Sequence, residues 1–402
     1  MPSFQRGHRA KAFSLLSIFI FAALGARADV TEGVPLRGFA DFSVIHEAAD
    51  DSDSFQLHEV DFFVAKQIDD TVSFLIELCF QPSFDGVGAD LERTYVQYRV
   101  NSNWLKISGG RFHTSLGYWN DTFHHGGYLQ TAATRPVMER FEDAGGLLPT
   151  HTTGVELRGN GPMSNGIFGY IVSVGNGRGP VKDPPAFYYD YNKSKSLAAL
   201  AYYEFNNGLR TGVNYYHSDL PGGGSRGPDG IPSATIVGPA GGESIYGAHA
   251  VYQTAAIEWL TEYQHMEHTY KNNAQLSLMS VGSSTATVVG PAQSTHIDLL
   301  YSQLGYHLGQ YTPYMRFELN ETDNVDAYLN APTADGEIPG LLGTTRYYVA
   351  GMRYELSPAS ALKFEATYVD SRASILEQLK IAGADPARHS DWSTNLNWSY
   401  GW

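Results

Sequence analysis

The sequence predicts an all-β fold, a transmembrane antiparallel up-and-down β-barrel of about 16 strands. Three observations carry the prediction. The last stretch of the chain alternates apolar and polar residues, many earlier segments share its period of two, and the connections between them switch between short turns and long loops.

The chain begins with Arg6, Arg9 and Lys11, then an apolar stretch from Ala12 to Leu24, then Ala26-Arg27-Ala28. A basic start, a short apolar centre and a small-x-small end form the pattern that signal peptidase reads. The apolar stretch is shorter than the roughly 20 residues a spanning helix needs. Residues 1–28 are therefore expected to be a cleaved export signal, with 29–402 forming the barrel. The signal holds four of the 27 basic residues and none of the 42 acidic ones, so the mature chain is expected to carry 23 basic groups and a net charge of −19. Such a surface repels nucleic acid.

With a single cysteine, Cys79, the chain has no intramolecular disulfide, and stability must come from strand pairing and packing. Past the signal no apolar run reaches the length of a membrane helix. Yet 26 Tyr, 20 Phe and 6 Trp accompany 42 Gly, with a mean hydropathy of −0.26. That balance suits strands that need only one greasy face.

Sixteen period-two segments can be read along the chain. The clearest are Val72 to Phe80, Phe168 to Val174, Tyr348 to Leu356 and Leu362 to Tyr368. Weaker ones cover Leu36 to His46, Val60 to Lys66, Arg93 to Val100, Trp104 to Ser108, Gly154 to Gly159, Leu197 to Phe205 and Leu209 to His217. Ile245 to Gln253, Ala256 to His265, Thr295 to Tyr306 and Tyr311 to Asn320 follow. In the final strand Trp392, Leu396, Trp398, Tyr400 and Trp402 share one parity while Ser393, Asn395, Asn397 and Ser399 take the other.

Short turns fall at Ile68-Asp69-Asp70, Asn101-Ser102-Asn103, Asn160 to Gly166, Asn206-Asn207-Gly208, Thr254-Ala255, Leu308-Gly309-Gln310 and Ser357-Pro358-Ala359. All have hairpin chemistry. Long connections alternate with them in strict order, among them Pro221 to Gly242, Thr269 to Gln293 and Glu321 to Thr344. Short turns at one rim and long loops at the other describe a membrane barrel, whose closure leaves no backbone group unpaired in lipid. A barrel this wide encloses a water-filled interior that eight strands could not.

Once apolar parity is assigned to lipid, the opposite face is charged. Arg93, Gln97, Arg99, Lys106, Glu156 and Arg158 are expected to face inward on the fourth to sixth strands, and Glu258, Glu262, Arg316, Glu318, Arg353, Lys363 and Glu365 further round. Charges on a barrel wall require water. The third long connection, residues 113–151, contains Trp119, Arg135, Glu139, Arg140, Glu142 and Asp143, and Pro136 to Asp143 reads as a short helix ended by Gly145-Gly146. Folded inward, its acids would face the arginines of the fourth and fifth strands and set a transverse field.

Gly109-Gly110-Arg111-Phe112, Leu116-Gly117, His125-Gly126, Arg135-Pro136, Phe141-Glu142-Asp143, Pro149 and Gly154-Val155 resemble the phosphate-selective porin O and P family and related proteobacterial porins. The terminal aromatic strand likewise resembles the recognition signal of outer-membrane barrels, with Trp398, Tyr400 and Trp402 expected to meet the assembly machinery. The resemblance implies a homotrimer in the outer membrane among lipid and lipopolysaccharide, the third loop forming an eyelet lined by Arg111 as well as the residues above. It implies passive diffusion of small hydrophilic solutes, without cofactor or metal. This sequence departs from the family's basic ladder, because the third loop has no lysine and the inward set only Lys106 and Lys363. Phosphate is thus a poor expectation. Arg93, Arg99 and Arg111 could still hold a small anion bidentately, and a channel specific for a small organic acid is an alternative.

Other motifs carry less. His265 and His268 have an odd spacing, so a strand sends them to opposite faces and they cannot share a metal; both are expected at the rim. His124-His125 has no ligand partner at suitable spacing, and His46-Glu47 lacks a second histidine. Gly175 to Gly179 precedes Pro180 and opens no phosphate-binding helix; it is loop sequence. His217-Ser218-Asp219 is the one triad-like cluster, and neighbouring strand residues diverge. A barrel lipase or protease, or an adhesin, remains as a different class.

Overall fold

The computed structural model describes residues 36–49, 51–83, 86–101, 103–123, 127–141, 146–179, 194–223, 238–271, 276–277, 287–288, 294–323, 326, 328–329, 343–372 and 389–402. The expected export signal and His124-His125 lie outside the described residues.

The strands, in chain order, are β1 (Leu36–Glu47), β2 (Ser52–Gln67), β3 (Val72–Ser83), β4 (Gly86–Asn101), β5 (Leu105–His113), β6 (His151–Met163), β7 (Gly166–Gly175), β8 (Ser196–Phe205) and β9 (Leu209–Gly223). There follow β10 (Gly238–Gln253), β11 (Ile257–Tyr270), β12 (Leu276–Ser277), β13 (Thr287–Val288), β14 (Ser294–Tyr306), β15 (Tyr311–Thr322), β16 (Thr344–Ser357), β17 (Ser360–Arg372) and β18 (His389–Gly401). All but β12 and β13, a small separate ribbon, form one closed antiparallel barrel of 16 strands in which neighbours in sequence are neighbours in space. Every segment read from periodicity is one of these strands.

Closure joins β1 to β18, with Ala40 opposite Tyr400 and Val44 opposite Leu396. The ladder is completed by Gly38 and Trp402, each donating its N–H to the other's carbonyl. Gly38 is required there: a Cβ would strike the Asp61 carbonyl and the Trp402 ring. The joint therefore pairs backbone and packs an aromatic with no edge left open.

The wall is greasy outside and polar inside, the reverse of a soluble protein. Ile76, Leu78, Val96, Tyr98, Phe364, Leu396 and Trp398 are exposed, whereas Glu77, Ser108, Glu156, Glu262, Glu318, Lys363 and Asn397 are buried. Alternation along each strand makes these two sets opposite faces. Cys79 is buried on the inward parity, opposite Asp61.

Strand ends bracket all seven expected short turns, but the third, expected over Asn160 to Gly166, shrinks to the two residues between β6 and β7, one of them Ser164 at φ 50°. The other rim departs from strict alternation. Only four residues separate β1 from β2 and two separate β3 from β4, so the long connections begin only after β5. The expected loops also shrink, because β9 and β11 run on to Gly223 and Tyr270 and β10 starts at Gly238. Their distal ends are rich in Gly, Ser and Thr, and period-two hydrophobicity has faded there although pairing continues.

Candidate functional site

The segment between β5 and β6, residues 114–150, is held by side chains of the inward face. Its secondary structure is a short helix, α1 (Trp119–Thr122), and a 3-10 turn at Val137–Glu139. The helix expected over Pro136 to Asp143 is thus reduced to that turn, after which Arg140 is extended. A proline before Val137 and no side-chain cap leave a single turn little support.

Gly117, at φ 69°, turns the chain so that successive N–H groups meet the wall. The Asn214 side chain accepts from Gly117 at 3.2 Å, and the Glu262 carboxylate accepts from Tyr118 and Trp119 at 2.7 Å each and from the Tyr301 hydroxyl at 2.6 Å. Further round, Glu318 accepts from the Val137 N–H at 2.6 Å and from Arg316 Nε at 2.7 Å. Arg316 also donates to the Thr134 carbonyl at 2.8 Å. Glu365 accepts from the Ala133 N–H and the Tyr314 hydroxyl, while Lys363 donates to the carbonyls of Gly127 and Ala132. Arg353 closes the series with 2.7 Å bonds to the carbonyls of Tyr128 and Gln130. Most of these wall charges are thereby matched to loop backbone groups.

Apolar packing points the same way. Leu260, Met266, Leu299 and Tyr301 lie on the inward parity of β11 and β14, where water alone would be a poor neighbour. Leu116, Trp119, Met138 and Leu147 of the segment join them in one buried cluster, with the Trp119 and Tyr301 rings edge to face at 5.7 Å. Burial of apolar area and charge-assisted hydrogen bonds therefore seat the segment on one side of the barrel.

On β3 to β6 the expected site residues meet fewer partners. Arg93 Nε is 2.5 Å from Glu77 on the neighbouring strand. Arg158 pairs with Glu156 at 2.6 Å and with Asp121 of α1 at 3.2 Å. Arg99, Lys106 and Arg158 stand directly opposite one another across β4, β5 and β6. The Arg99 and Lys106 side chains have no hydrogen bond or ion pair among the described residues. Gln97 bonds Ser108 in the next inward row.

Three expectations are corrected. Arg111 lies opposite Thr94, on the parity of Val96 and Tyr98, so it leaves the row of Arg99 and Lys106; it is buried, with Nε bonded to the Glu92 carbonyl at 2.9 Å. The glycine before it, Gly110, is at φ 141°, and a Cβ there would strike the Thr94 carbonyl, which gives the double-glycine motif a packing reason. Among the described residues no loop acid pairs with Arg93 of β4, which is taken by Glu77, and Asp121 reaches Arg158 of β6. Glu139 is buried beside Arg135, which donates to its carbonyl at 3.1 Å and stacks over Phe141. Arg140 is exposed, and Glu142 and Asp143 lie outside the described residues.

The third correction concerns histidine. His265 and His268 do take opposite faces, but His268 is fully buried on the inner side. It bridges Glu243 at 3.0 Å and Asp326 at 2.7 Å; Glu243 meets Arg178 at 2.9 Å, and Arg178 donates to the Leu147 carbonyl. The network ties segments after β5, β7 and β15 to β10 and β11. Arg178 sits in the glycine-rich stretch Gly175 to Gly179, where sequence showed only a loop. Glu77 was more visible, being the single charge in the apolar run of β3, on the inward parity.

Glu59, Asp61 and Cys79 bring potential ligand atoms within 4.8 Å of one another on β2 and β3. Arg135 faces the charges of Glu59, Glu139, Asp61 and Glu92, so a cation already occupies that field. His217 bonds Ser244 at 3.1 Å.

No protein-family profile and no curated protein matches the chain. Its fold is similar to solved outer-membrane proteins, porins among them. OmpT of Vibrio cholerae in a trimer form is 10% identical with a TM-score of 0.55, over 92% of this chain and 99% of that one. The anion-selective porin of Comamonas acidovorans is 10% identical with a TM-score of 0.56, over 92% and 99%. OmpF of Salmonella typhi is 12% identical with a TM-score of 0.53, over 92% and 97%. At such identities the likeness is one of fold.

Proposed function

We propose that this chain is a passive diffusion channel of a bacterial outer membrane, taking small hydrophilic solutes with a preference for small anions. The segment 114–150 is the inward-folded eyelet loop, and the solute path runs between it and the β3 to β6 wall. One observation carries the reading: Arg99 and Lys106 are adjacent cations whose side chains have no hydrogen bond or ion pair among the described residues. Like charges directly opposite on a ladder destabilise it, so such a pair is tolerated where water and passing anions screen it.

Arg93, Arg158 and Asp121 border the same path and give it a transverse field; Glu156 and Trp119 support it. The acidic chain as a whole opposes anion entry, which makes the preference local to this row. Export by the signal of residues 1–28, assembly through Trp398, Tyr400 and Trp402, packing as a homotrimer and contact with lipopolysaccharide complete the proposal. One of the similar outer-membrane proteins is a trimer form and another is an anion-selective porin, which supports these last steps by fold only.

The test is electrical. Folded protein in a planar bilayer should give stable conductance steps, with chloride more permeant than potassium under a salt gradient. Folded, heat-modifiable protein that inserts without conducting would overturn the channel, and lipase, protease and adhesion assays would follow.

A further inference from the structure

The odd spacing of His265 and His268 sends His265 to the outer face of β11, where its neighbours come from β14. There His265 lies opposite Asp298, and Glu267 lies opposite His296. The two imidazoles stack at 5.8 Å, 20° from parallel. Each has its Nδ1 committed: His265 to Asp298 at 2.8 Å, His296 to Asp323 at 2.7 Å. Both carboxylates are themselves fixed, Asp298 by the Tyr263 hydroxyl and Asp323 by the His296 N–H at 2.8 Å.

A histidine whose Nδ1–H is given to a carboxylate keeps its lone pair on Nε2, oriented and made more basic. That is the arrangement around metal-bound histidines. Glu267 Oε1 is 3.9 Å from His296 Nε2 and supplies a third ligand. All these side chains are about one-third to one-half exposed. Just beside them the Tyr246 ring lies tilted against Tyr215 on the outer face, opposite His265, and aromatic residues of this kind mark the membrane interface.

We infer that His265, His296 and Glu267 form a site for a divalent transition-metal ion of the zinc class on the outer surface, toward the long-loop rim. Two imidazoles and one carboxylate suit zinc, copper or nickel; calcium and magnesium prefer all-oxygen cages. Zinc sits at about 2.0–2.1 Å from imidazole nitrogen. The two half-exposed rings therefore tilt their Nε2 edges together on binding, while Asp298 and Asp323 keep hold of the far nitrogens. Its remaining position is open to water or to an oxygen anion from outside. The site is independent of conduction.

Titration of the purified full-length protein in detergent with zinc alone, followed by calorimetry, tests it. One zinc per chain should bind, unaffected by equimolar magnesium. His265→Ala and His296→Ala should each remove that binding, Glu267→Gln should weaken it, and Asp298→Asn should weaken it about tenfold, the scale for a group that orients a ligand. His217→Ala, on the same face but bonded to Ser244, should leave it intact. Absence of saturable zinc binding, or binding unchanged in the His265→Ala and His296→Ala double variant, would overturn the site. Heat modifiability reports folding of each variant separately.

Discussion

The barrel wall has two arcs that differ in what their charges touch. From β9 to β17, Asn214, Glu262, Arg316, Glu318, Arg353, Lys363 and Glu365 all bond the segment between β5 and β6. From β4 to β6, among the described residues, the Arg99 and Lys106 side chains bond nothing and Arg158 meets a single loop residue, Asp121. Both arcs read alike in the sequence, as charged inward rows. What separates them is the loop: on one side polar wall groups are structural anchors, and on the other, under the proposed function, they face the aqueous path. An inward charge is thus not in itself a selectivity residue.

Breaking the engaged arc should have the largest effect. Glu262→Ala removes the acceptor of two loop N–H groups and the Tyr301 hydroxyl. Each buried donor left without a partner costs roughly 1–3 kcal/mol. The loop should then leave its seat, raising single-channel conductance and exposing it to trypsin; unchanged conductance and unchanged proteolysis would mean that the anchors are incidental.

A smaller effect should come from acid. Burial pushes the Asp326 carboxyl up, but the charge of His268 and the bonds from His268, the Leu329 N–H and the Tyr270 hydroxyl prevail and hold it below the usual carboxylate range. A depressed carboxylate stabilises the fold above the unfolded value, about 3.9, and that contribution fades as pH falls through the lower folded value. The tether between the segment after β15 and β11 should hold at neutral pH and loosen only below about pH 4. Conductance noise recorded against pH should rise there in the wild type, and Asp326→Asn should be noisy already at neutral pH.

Much of this was legible beforehand, because strand period, turn chemistry and parity are local. Val72 to Phe80 displays its faces residue by residue, and the inward set from Arg93 to Glu365 follows from the same rule. What sequence missed needs contacts far along the chain. The Asn214 acceptor serves Gly117 from 97 residues away, and the Glu365 acceptor serves Ala133 from 232. Arg178 looked like loop filler until Glu243 and His268 gave it partners. The apolar inward residues Leu260 and Leu299 were a signal in plain view, since a water-lined wall has no use for them unless something covers them. Arg111 shows the limit of parity, where a motif residue sits one step off the row it was expected to join.

The most direct measurement is the reversal potential across a potassium chloride gradient for wild type and for Arg99→Gln with Lys106→Gln, two side chains without hydrogen bonds or ion pairs among the described residues. If the path runs along β4 to β6, the double variant shifts the potential toward cation selectivity while unit conductance stays near wild type. An unchanged reversal potential would place the path elsewhere and contradict the division of the wall into an anchoring arc and a conducting one.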